Sequence, residues 1–411
     1  MPTRRLFLKS SALAMFGVGS APLWLSRAVY AKDAPQGRKI LIALFQRGAV
    51  DGLNVVIPHA DSAYYALRPS IALPRPNGTD AGAIDLDGHF GLHPALRPLK
   101  PLWDRGQLAI VEAVGSRDPS RSHFDAQDYM ESGTPGMKAT YDGWLNRALC
   151  PEAKPSAVRA VSLGSEVART LRGQNQALAI GNLSDFQVKD QRMASTFESL
   201  YGISTDQVLN TTARETFDAV RLVKSIGDKP YTPSNAAAYP NGRFGQSLQQ
   251  IARIIKADVG LEVAFADIGG WDTHVNEVDG QPHQGKLASL LREFGGGLAA
   301  FSADMGDRMA DITVVTMSEF GRTARENGDR GTDHGHANVM FALGGGVRGG
   351  RVYGDWPGLE REQLYEGRDL NVTTDFRAVL GELVAGQLGN HDLRHVFPGF
   401  ADERPTGLLL T

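Results

Sequence analysis

The sequence predicts an α/β fold of three layers, in which helices cover both faces of a mostly parallel central sheet. Short apolar runs of strand length alternate with longer helical patterns along the chain, and this alternation is typical of such a sheet. Several of the runs are apolar without interruption, as expected for strands buried on both faces. The chain has 411 residues, which is enough for one large domain with insertions or for two domains.

Residues 1–31 are typical of an export signal. Arg4 and Arg5 lie in the stretch TRRLFLK, which is typical of a twin-arginine signal. The apolar stretch that follows has roughly 15 residues and is too short to cross a bilayer as a stable helix. We therefore predict cleavage after Ala31 and transfer of residues 32–411 to the periplasm or out of the cell by the twin-arginine export machinery. The alternative is a basic amphipathic segment that stays attached to the mature chain.

The charge of the chain argues against a nucleic-acid partner, and its cysteine content excludes an internal disulfide. Removal of residues 1–31 would change the formal net charge from −3 to −7, because this segment holds four basic residues and no acidic one. An acidic chain without a run of lysines and arginines is not suited to phosphate backbones, so we expect no nucleic-acid partner. Cys150 is the single cysteine, which excludes an internal disulfide. After residue 31, no stretch has the length and apolarity of a stable membrane span.

Five apolar runs predict the strands of the central sheet. Each has the length of a strand and few polar residues, which indicates burial on both faces. The runs are Lys39–Gln46, Leu108–Val114, Leu261–Ile268, Asp311–Met317 and Asn338–Leu343.

Two helices are predicted in the second half of the chain. Apolar residues over 287–309 recur at steps of one, three and four, which predicts an amphipathic helix, although the glycines at 295–297 weaken its middle. A second helix is predicted over 373–388, with Thr373 or Thr374 as its cap.

The region 157–242 is less regular. Short apolar pieces precede a helical segment near residues 211–226. We interpret the region as an insertion or cap over the sheet of a single domain, residues 32–411.

Polar side chains follow four of the five predicted strands and precede the fifth. Because the ligand of an open α/β sheet lies beyond the carboxyl ends of its strands, these side chains predict a polar functional site at one edge. In chain order they are Arg47, Asp51 and Asn54, then Ser122 and His123, then Asp272 and His274, then Glu319 and Arg322, and finally Asp333, His334 and His336.

Six of these residues form a candidate metal-ligand set. Aspartate, glutamate and histidine provide the oxygen and nitrogen ligands of zinc, manganese and similar ions. The six are Asp272, His274, Glu319, Asp333, His334 and His336. Their spacing lacks the strict pattern of a helical His-Glu-x-x-His site, so each histidine taken alone also fits an ordinary hydrogen-bonded loop residue. We therefore predict a site suited to zinc, manganese or calcium, and the sequence leaves open whether a metal is bound.

Ser122 permits two interpretations. The stretch SHFD matches a capping box, in which Ser122 caps a helix and Asp125 reaches back to its backbone. A hydroxyl at a helix N-terminus also lies where negative charge is favoured, and beside a metal it could act as a nucleophile. Arg47 and Arg322 are similarly open, since each could hold an anion or pair with a neighbouring carboxylate.

The glycine run GGGVRGG, residues 344–350, contains the letters of a dinucleotide fingerprint. The residues after it do not begin a helix, so no helix dipole would face a pyrophosphate. We interpret the run as a flexible connection between strands, and an oxidoreductase is the weakest of the functional hypotheses.

Six motifs occur in a fixed order along the chain: TRRLFLK, FQRGAVDGLNVVIPHAD, RSHFDAQDYMESG, GGWDTH, MSEFGRT and RGTDHGHAN. Together they resemble the exported bacterial domain-of-unknown-function family numbered 1501, over essentially the whole mature chain. That family is similar to the alkaline phosphatase and sulfatase superfamily. The resemblance implies an alkaline-phosphatase-like α/β/α sandwich and, in active members of the superfamily, a site for two metals.

The resemblance also implies roles for particular residues. Ser122 would be the nucleophile at the start of a helix that ends in a glycine. Asp272 and His274 would be the first ligand pair, and His334 or His336 would be the last histidine ligand.

Two positions depart from the pattern of the active members. Glu319 and Phe320 stand where an Asp-His pair is expected, and the first strand ends in Gln46 and Arg47 rather than in an aspartate ligand, with Asp51 four residues beyond. Three alternatives follow: the site is rebuilt with His336, Asp333 or Asp51 as a substitute ligand, or it holds one metal, or it binds without hydrolysis.

The sequence thus predicts an exported, metal-dependent hydrolase of small phosphate or sulfate esters. Its catalytic candidates are Ser122, His123, Arg47 and Arg322, of which the arginines would neutralise developing charge. The alternative is a non-catalytic periplasmic binding or assembly protein that keeps the fold with a degenerate metal site.

Overall fold

The computed structural model describes residues 38–151, 156–183, 219–400 and 405–410. The predicted export signal lies outside the described residues, as do residues 184–218 within the predicted cap. The strands are β1 Ile40–Arg47, β2 Val56–Ile57, β3 Ile84–Asp85, β4 Gly91–Leu92, β5 Leu108–Gly115, β6 Ala160–Leu163, β7 Leu178–Ile180, β8 Val263–Gly269, β9 Ile312–Met317, β10 Asn338–Gly344, β11 Arg351–Tyr353 and β12 Thr374–Asp375.

The helices lie mainly between these strands. They are α1 Gly52–Val55, α2 Ser62–Leu67, α3 Lys100–Asp104, α4 His123–Ser132, α5 Trp144–Arg147, α6 Arg243–Lys256, α7 Lys286–Met305, α8 Phe376–Leu388 and α9 Leu393–Val396. Residues 219–227 are also helical. Three short 3₁₀ segments, Pro94–Leu99, Arg169–Leu171 and Gly306–Asp311, complete the helical structure of the described residues.

A nine-stranded sheet forms the centre of the described chain. Its order is β11-β5-β10-β9-β1-β8-β6-β7, and β12 pairs with β5. Only β10 runs antiparallel to its neighbours within this sheet, so the prediction of a mostly parallel sheet is confirmed. The short strands β2, β4 and β3 form a separate antiparallel sheet beside it.

Helices cover both faces of the central sheet, because alternate side chains of its buried strands point to opposite sides. On one face, Ile42 and Leu44 of β1 share an apolar cluster with residues of α6 and α7. On the other face, Ala43 and Phe45 of β1 pack with residues of α5 and α8. The predicted three-layer α/β/α architecture is therefore confirmed.

The five predicted strands are confirmed to within two residues at each end. The long predicted helix is α7, and it runs through its glycines without a break. At Gly295 a side chain would come within 2.9 Å of Leu96, so this glycine allows close packing. The cap predicted for the last helix is wrong, because Asp375, rather than a threonine, accepts the hydrogen bond of Arg377 N at the start of α8.

The region predicted as a cap begins inside the sheet. Its first part contains β6 and β7, which extend the sheet beyond β8. Within the part of the chain that the structure describes, no helix has the length and apolarity needed to cross a membrane.

The loops that follow β1, β8 and β9 start side by side at one edge of the sheet. Arg47 of β1 pairs with Gly269 of β8, and Phe45 pairs with Met317 of β9. Because these three strands are parallel and adjacent, their carboxyl ends bring the following polar residues together.

Candidate metal centre

Three imidazole rings and one carboxylate converge at this edge. The Nε2 atom of His334 lies 3.0 Å from Nε2 of His123 and 2.9 Å from Nε2 of His274. The carboxylate of Asp272 lies 3.1 Å from Nε2 of His274, 3.5 Å from Nε2 of His334 and 3.6 Å from Nε2 of His123. We call these four residues the histidine cluster.

Each member of the histidine cluster comes from a segment that the sheet positions. His123 is the first residue of α4, which follows β5. Asp272 and His274 lie in the loop after β8, and His334 lies in the loop before β10. Gly48 lets the loop after β1 approach the loop of Asp272, because its φ is +115° and a side chain there would lie 2.6 Å from Asp272 N.

The second nitrogen of every ring in the cluster faces a hydrogen-bond acceptor. His123 Nδ1 lies 2.8 Å from Glu319 Oε1, and His274 Nδ1 lies 3.0 Å from Asp333 Oδ1. His334 Nδ1 lies 2.9 Å from the carbonyl oxygen of Arg121. This arrangement is typical of metal-binding histidines, whose outer partners fix the ring orientation and the tautomer.

The acceptors determine where the protons are. A carbonyl or an ionised carboxylate cannot donate, so each Nδ1 carries the proton. In the neutral rings, the three Nε2 atoms therefore present lone pairs to one another and to Asp272. Such a cluster requires a positive partner, either a metal ion or additional protons on the rings.

The spacing of the cluster fits a metal ion. Two ligands about 2.0–2.1 Å from a tetrahedral zinc ion are about 3.3 Å apart, and the five separations given above, from 2.9 to 3.6 Å, scatter around this distance. Among the described residues, His123, Asp272 and His334 form a group whose ligand atoms all lie within 4.8 Å of one another and could hold a metal ion. His274 Nε2 lies beside two members of this group, 2.9 Å from His334 Nε2 and 3.1 Å from the Asp272 carboxylate, but is not itself a member.

Glu319 is an anchor for His123. Its carboxylate also accepts hydrogen bonds from Gly48 N, from Gln127 Nε2 and from the Ser318 hydroxyl. Burial would raise the pKa of Glu319, but the hydrogen bonds, first that of His123, bring it below the usual value. The same contact raises the pKa of His123. An ionised Glu319 therefore increases the basicity of the ring that it orients.

Asp272 and His334 differ from His123 in their surroundings. Burial would raise the pKa of Asp272, but the hydrogen bond from Arg322, 2.6 Å long, keeps it below the usual value. Burial, followed by the proximity of His123, lowers the pKa of His334. Asp272 is thus held as a carboxylate and His334 as a neutral ring, which are the forms that bind metals.

The two arginines predicted to act on substrate are occupied by protein acceptors. Arg322 is buried and donates to the carbonyl oxygens of Gly48, Ala49, Trp271 and Thr332 as well as to Asp272. Arg47 donates to Asp267, Gln127 and Glu131. Both guanidinium groups hold segments of the site together.

Ser122 is the N-cap residue of α4, but its side chain makes no capping hydrogen bond, and the residue is exposed. Asp125 forms an ion pair with Lys138 at 2.7 Å. The capping-box interpretation is therefore wrong. Ser122 places an exposed hydroxyl directly before the ligand candidate His123.

Two predicted ligand candidates have other contacts. Asp51 is buried and binds Arg68 through both carboxylate oxygens, at 2.5 and 2.9 Å. His336 is buried and its ring stacks on Tyr365 with a centroid distance of 4.3 Å. Burial lowers the pKa of His336. The structure gives neither side chain a contact with the histidine cluster.

Gln127 is a residue of the site that was not predicted from the sequence. It donates to Glu319 and accepts from Arg47, and so links the anchor of His123 to the end of β1. It lies four residues after His123 on α4, which places both on one face of the helix. That spacing is the signal that could have identified it.

Comparisons with known proteins give one family and several solved structures, two of which are given below. A family model described as "Protein of unknown function (DUF1501)" matches residues 38–396. No curated protein matches the chain significantly. The chain is similar to the lipoteichoic acid synthase LtaP from Listeria monocytogenes, with 9% identity and a TM-score of 0.31, over 75% of this chain and 66% of that one. It is also similar to the PsFucS1 sulfatase from Pseudoalteromonas sp., with 12% identity and a TM-score of 0.34, over 80% of this chain and 68% of that one.

Proposed function

The chain belongs to the DUF1501 family, and we propose that it is an exported, metal-dependent hydrolase of phosphate or sulfate esters. The family predicted from the motifs is the family found. The observation that carries the proposal is the convergence of three imidazole Nε2 atoms on one carboxylate, with an acceptor behind every Nδ1 atom. Export rests on the twin-arginine pattern of residues 1–31.

The ligand set favours zinc among the metals predicted from the sequence. Imidazole nitrogens suit zinc and related transition metals, whereas calcium is bound almost entirely by oxygen atoms. With two nitrogens and one carboxylate, His123, His334 and Asp272 would hold a single zinc ion, with His274 beside them. Glu319 and Asp333, predicted as ligands, would act one hydrogen bond further out.

When bound, a metal in this cluster supplies Lewis-acid polarisation of an ester oxygen. Ser122 is the nucleophile candidate of this chain because its hydroxyl is exposed and free of a capping bond. It lies at the N-terminus of the ten-residue helix α4, where the helix dipole favours an anionic group. Glu319 would keep the ring of His123 oriented beside it.

The test combines metal content with hydrolysis. We expect protein exported through its own signal to contain about one zinc per chain by elemental analysis, and His334→Ala to lose it. His336→Ala is the matched control, since this histidine lies in the same loop but stacks on Tyr365. Metal-free wild-type protein with an intact fold would overturn the proposal.

Activity is measured with aryl phosphates and aryl sulfates. Wild-type protein should hydrolyse at least one class, and Ser122→Ala should lower kcat by at least about a hundredfold if the hydroxyl attacks the ester. If a water attacks instead, Ser122→Ala keeps the activity and His334→Ala loses it.

A second candidate function is a metal-containing binding protein without hydrolysis. The occupation of Arg47 and Arg322 by protein acceptors favours it, because neither group is available to neutralise an anionic ester. This candidate predicts stoichiometric zinc and equal, background rates for wild type and Ser122→Ala on every ester of the panel.

A further inference from the structure

A second group of ionisable residues lies buried behind the loops of the histidine cluster. Asp51 is 1% exposed, and Arg68 and Glu277 are fully buried. Arg68 binds Asp51 through two hydrogen bonds and donates to the carbonyl oxygens of Thr323 and Ala324. We call Asp51 and Glu277 the buried carboxyl pair.

Among the contacts of the described residues, Glu277 has no counter-charge of its own, whereas Arg68 binds both carboxylate oxygens of Asp51. Burial, followed by the proximity of Asp51, raises the pKa of Glu277 well above its usual value. The protonated form of Glu277 is therefore favoured in the folded protein.

Glu277 also accepts hydrogen bonds from three other side chains. Its Oε2 lies 3.0 Å from the Thr273 hydroxyl and 3.1 Å from the Thr332 hydroxyl. Its Oε1 lies 3.1 Å from Asn54 Nδ2. The carboxyl group therefore holds together residues of two loops and of α1.

The two threonines lie beside the ligand candidates. Thr273 stands between Asp272 and His274, and Thr332 precedes His334 by two residues. The backbones of the two loops are in contact, since Thr332 N donates to Thr273 O at 3.2 Å. At Gly331 a side chain would lie 2.3 Å from His274 O, so only glycine allows this approach.

We propose that Glu277 is a positioning residue, which keeps the loop of Asp272 and His274 in register with the loop of His334 through the hydroxyls of Thr273 and Thr332. This inference rests on the proposed metal site. It also accounts for Asp51, which binds Arg68 beside Glu277 instead of binding a metal.

Zinc titration of metal-free protein by calorimetry tests the inference. We expect Glu277→Ala to weaken zinc binding about tenfold, since three donors lose their common acceptor and the two loops lose their register. Glu277→Gln should stay within about threefold of wild type, because its amide oxygen still accepts from the hydroxyls of Thr273 and Thr332 at nearly constant volume. This rescue separates hydrogen bonding from mere bulk.

Two threonine variants test the same role of Glu277 if Glu277→Ala does not fold. Thr273→Val and Thr332→Val remove one hydroxyl each at nearly constant volume, and each should weaken zinc binding about threefold or more. Asp304→Asn is the control for stability. Asp304 is a buried carboxylate that accepts from Tyr231, Tyr239 and Lys256. None of these partners belongs to the histidine cluster.

The outcomes are distinct. Weaker zinc binding in the Glu277 and threonine variants, with Asp304→Asn binding like wild type at lower stability, supports the inference. Wild-type affinity in Glu277→Ala and in both threonine variants overturns it. Absence of zinc binding in wild type overturns the proposed metal site itself.

Discussion

The histidine cluster and the buried carboxyl pair lie on opposite sides of the same loops and hold their charges in different ways. In the cluster, the Asp272 side chain is 47% exposed and that of His274 is 39% exposed, and lone pairs face one another. In the pair, Asp51 is 1% exposed and its charge is compensated by Arg68, while burial raises the pKa of Glu277 well above its usual value. One group is complete within the protein, and the other needs a cation from outside.

The two groups show which property makes polar side chains a candidate binding site. Acidic residues follow strands in both places, and both groups lie at the carboxyl edge of the sheet. Burial excludes water from the pair, so its charges must be matched internally. Because the histidine cluster is partly exposed, it can take up a metal ion or protons from solvent. Residue type alone does not separate the two cases, but hydrogen-bond accounting does.

Arg68→Met should have the largest effect on stability. The substitution leaves the ionised Asp51 beside Glu277 without a counter-charge in a fully buried place, and we expect a loss of about 3–5 kcal/mol in the free energy of unfolding. Denaturant unfolding measures it. Arg308→Met is the matched control, because the Arg308–Asp258 pair is 45% and 57% exposed and should contribute about 1 kcal/mol or less. Equal losses in the two variants would contradict the view of the pair as internally compensated.

Zinc should stabilise wild-type protein by the amount that mass action gives. At a free zinc concentration one hundred times Kd, we expect the free energy of unfolding to rise by about 2.7 kcal/mol. His334→Ala should show no such rise, and His336→Ala should keep it. Thermal unfolding with and without a chelator measures the effect. An equal rise in His334→Ala would place the zinc elsewhere.

The two outer carboxylates should differ in strength. Glu319 is fully buried and accepts from His123, Gln127, Ser318 and Gly48, whereas the Asp333 side chain is 59% exposed. Glu319→Gln should therefore weaken zinc binding by at least about tenfold, and Asp333→Asn by a smaller factor, because solvent replaces part of its role. Calorimetric Kd values for both variants make the comparison. The reverse order would show that burial does not set the strength of the outer partner.

The fold was predictable because burial on both faces leaves its mark on the sequence. Residues 40–45 and 339–343 are apolar throughout, as expected for strands of a sheet that is covered on both faces. The short edge strands β6 and β7 were not predicted. They have four and three residues, too few to show a pattern, and their place in the sheet depends on β8.

The sequence predicted which residue types form the site, but not which of them lie in the histidine cluster and which bind other side chains. Asp272, His274 and His334 follow or precede buried strands, and the sheet brings them together. Asp51 was predicted beside them, but the chain turns through positive φ at Gly48 and Ala49 and takes its carboxylate to Arg68. No local pattern marks Arg68 as its partner.

The smallest expected effect concerns His93, a buried histidine that changes the pH dependence of stability. It is fully buried, and its Nδ1 accepts from Ala95 N at the start of a 3₁₀ segment. Burial, with the nearby charge of Arg292, lowers its pKa to about 3, far below the value of about 6.5 in an unfolded chain. The folded-state pKa is the lower one, so its contribution to stability is complete above about pH 6.5 and decreases as the pH falls towards 3. Between pH 7 and pH 6 this amounts to about 0.7 kcal/mol.

His93→Asn should remove that part of the pH dependence. Asparagine keeps an acceptor for Ala95 N but does not titrate, so the variant is less stable at pH 7 because of the lost volume, yet its stability should fall less steeply below pH 7. Denaturant unfolding at pH 7.0, 6.5 and 6.0 in the presence of a chelator measures the two slopes. The cluster histidines titrate alike in both proteins and cancel in the difference. Parallel slopes would show that His93 gains its proton in the folded protein, and that burial without a compensating partner does not hold a histidine neutral here.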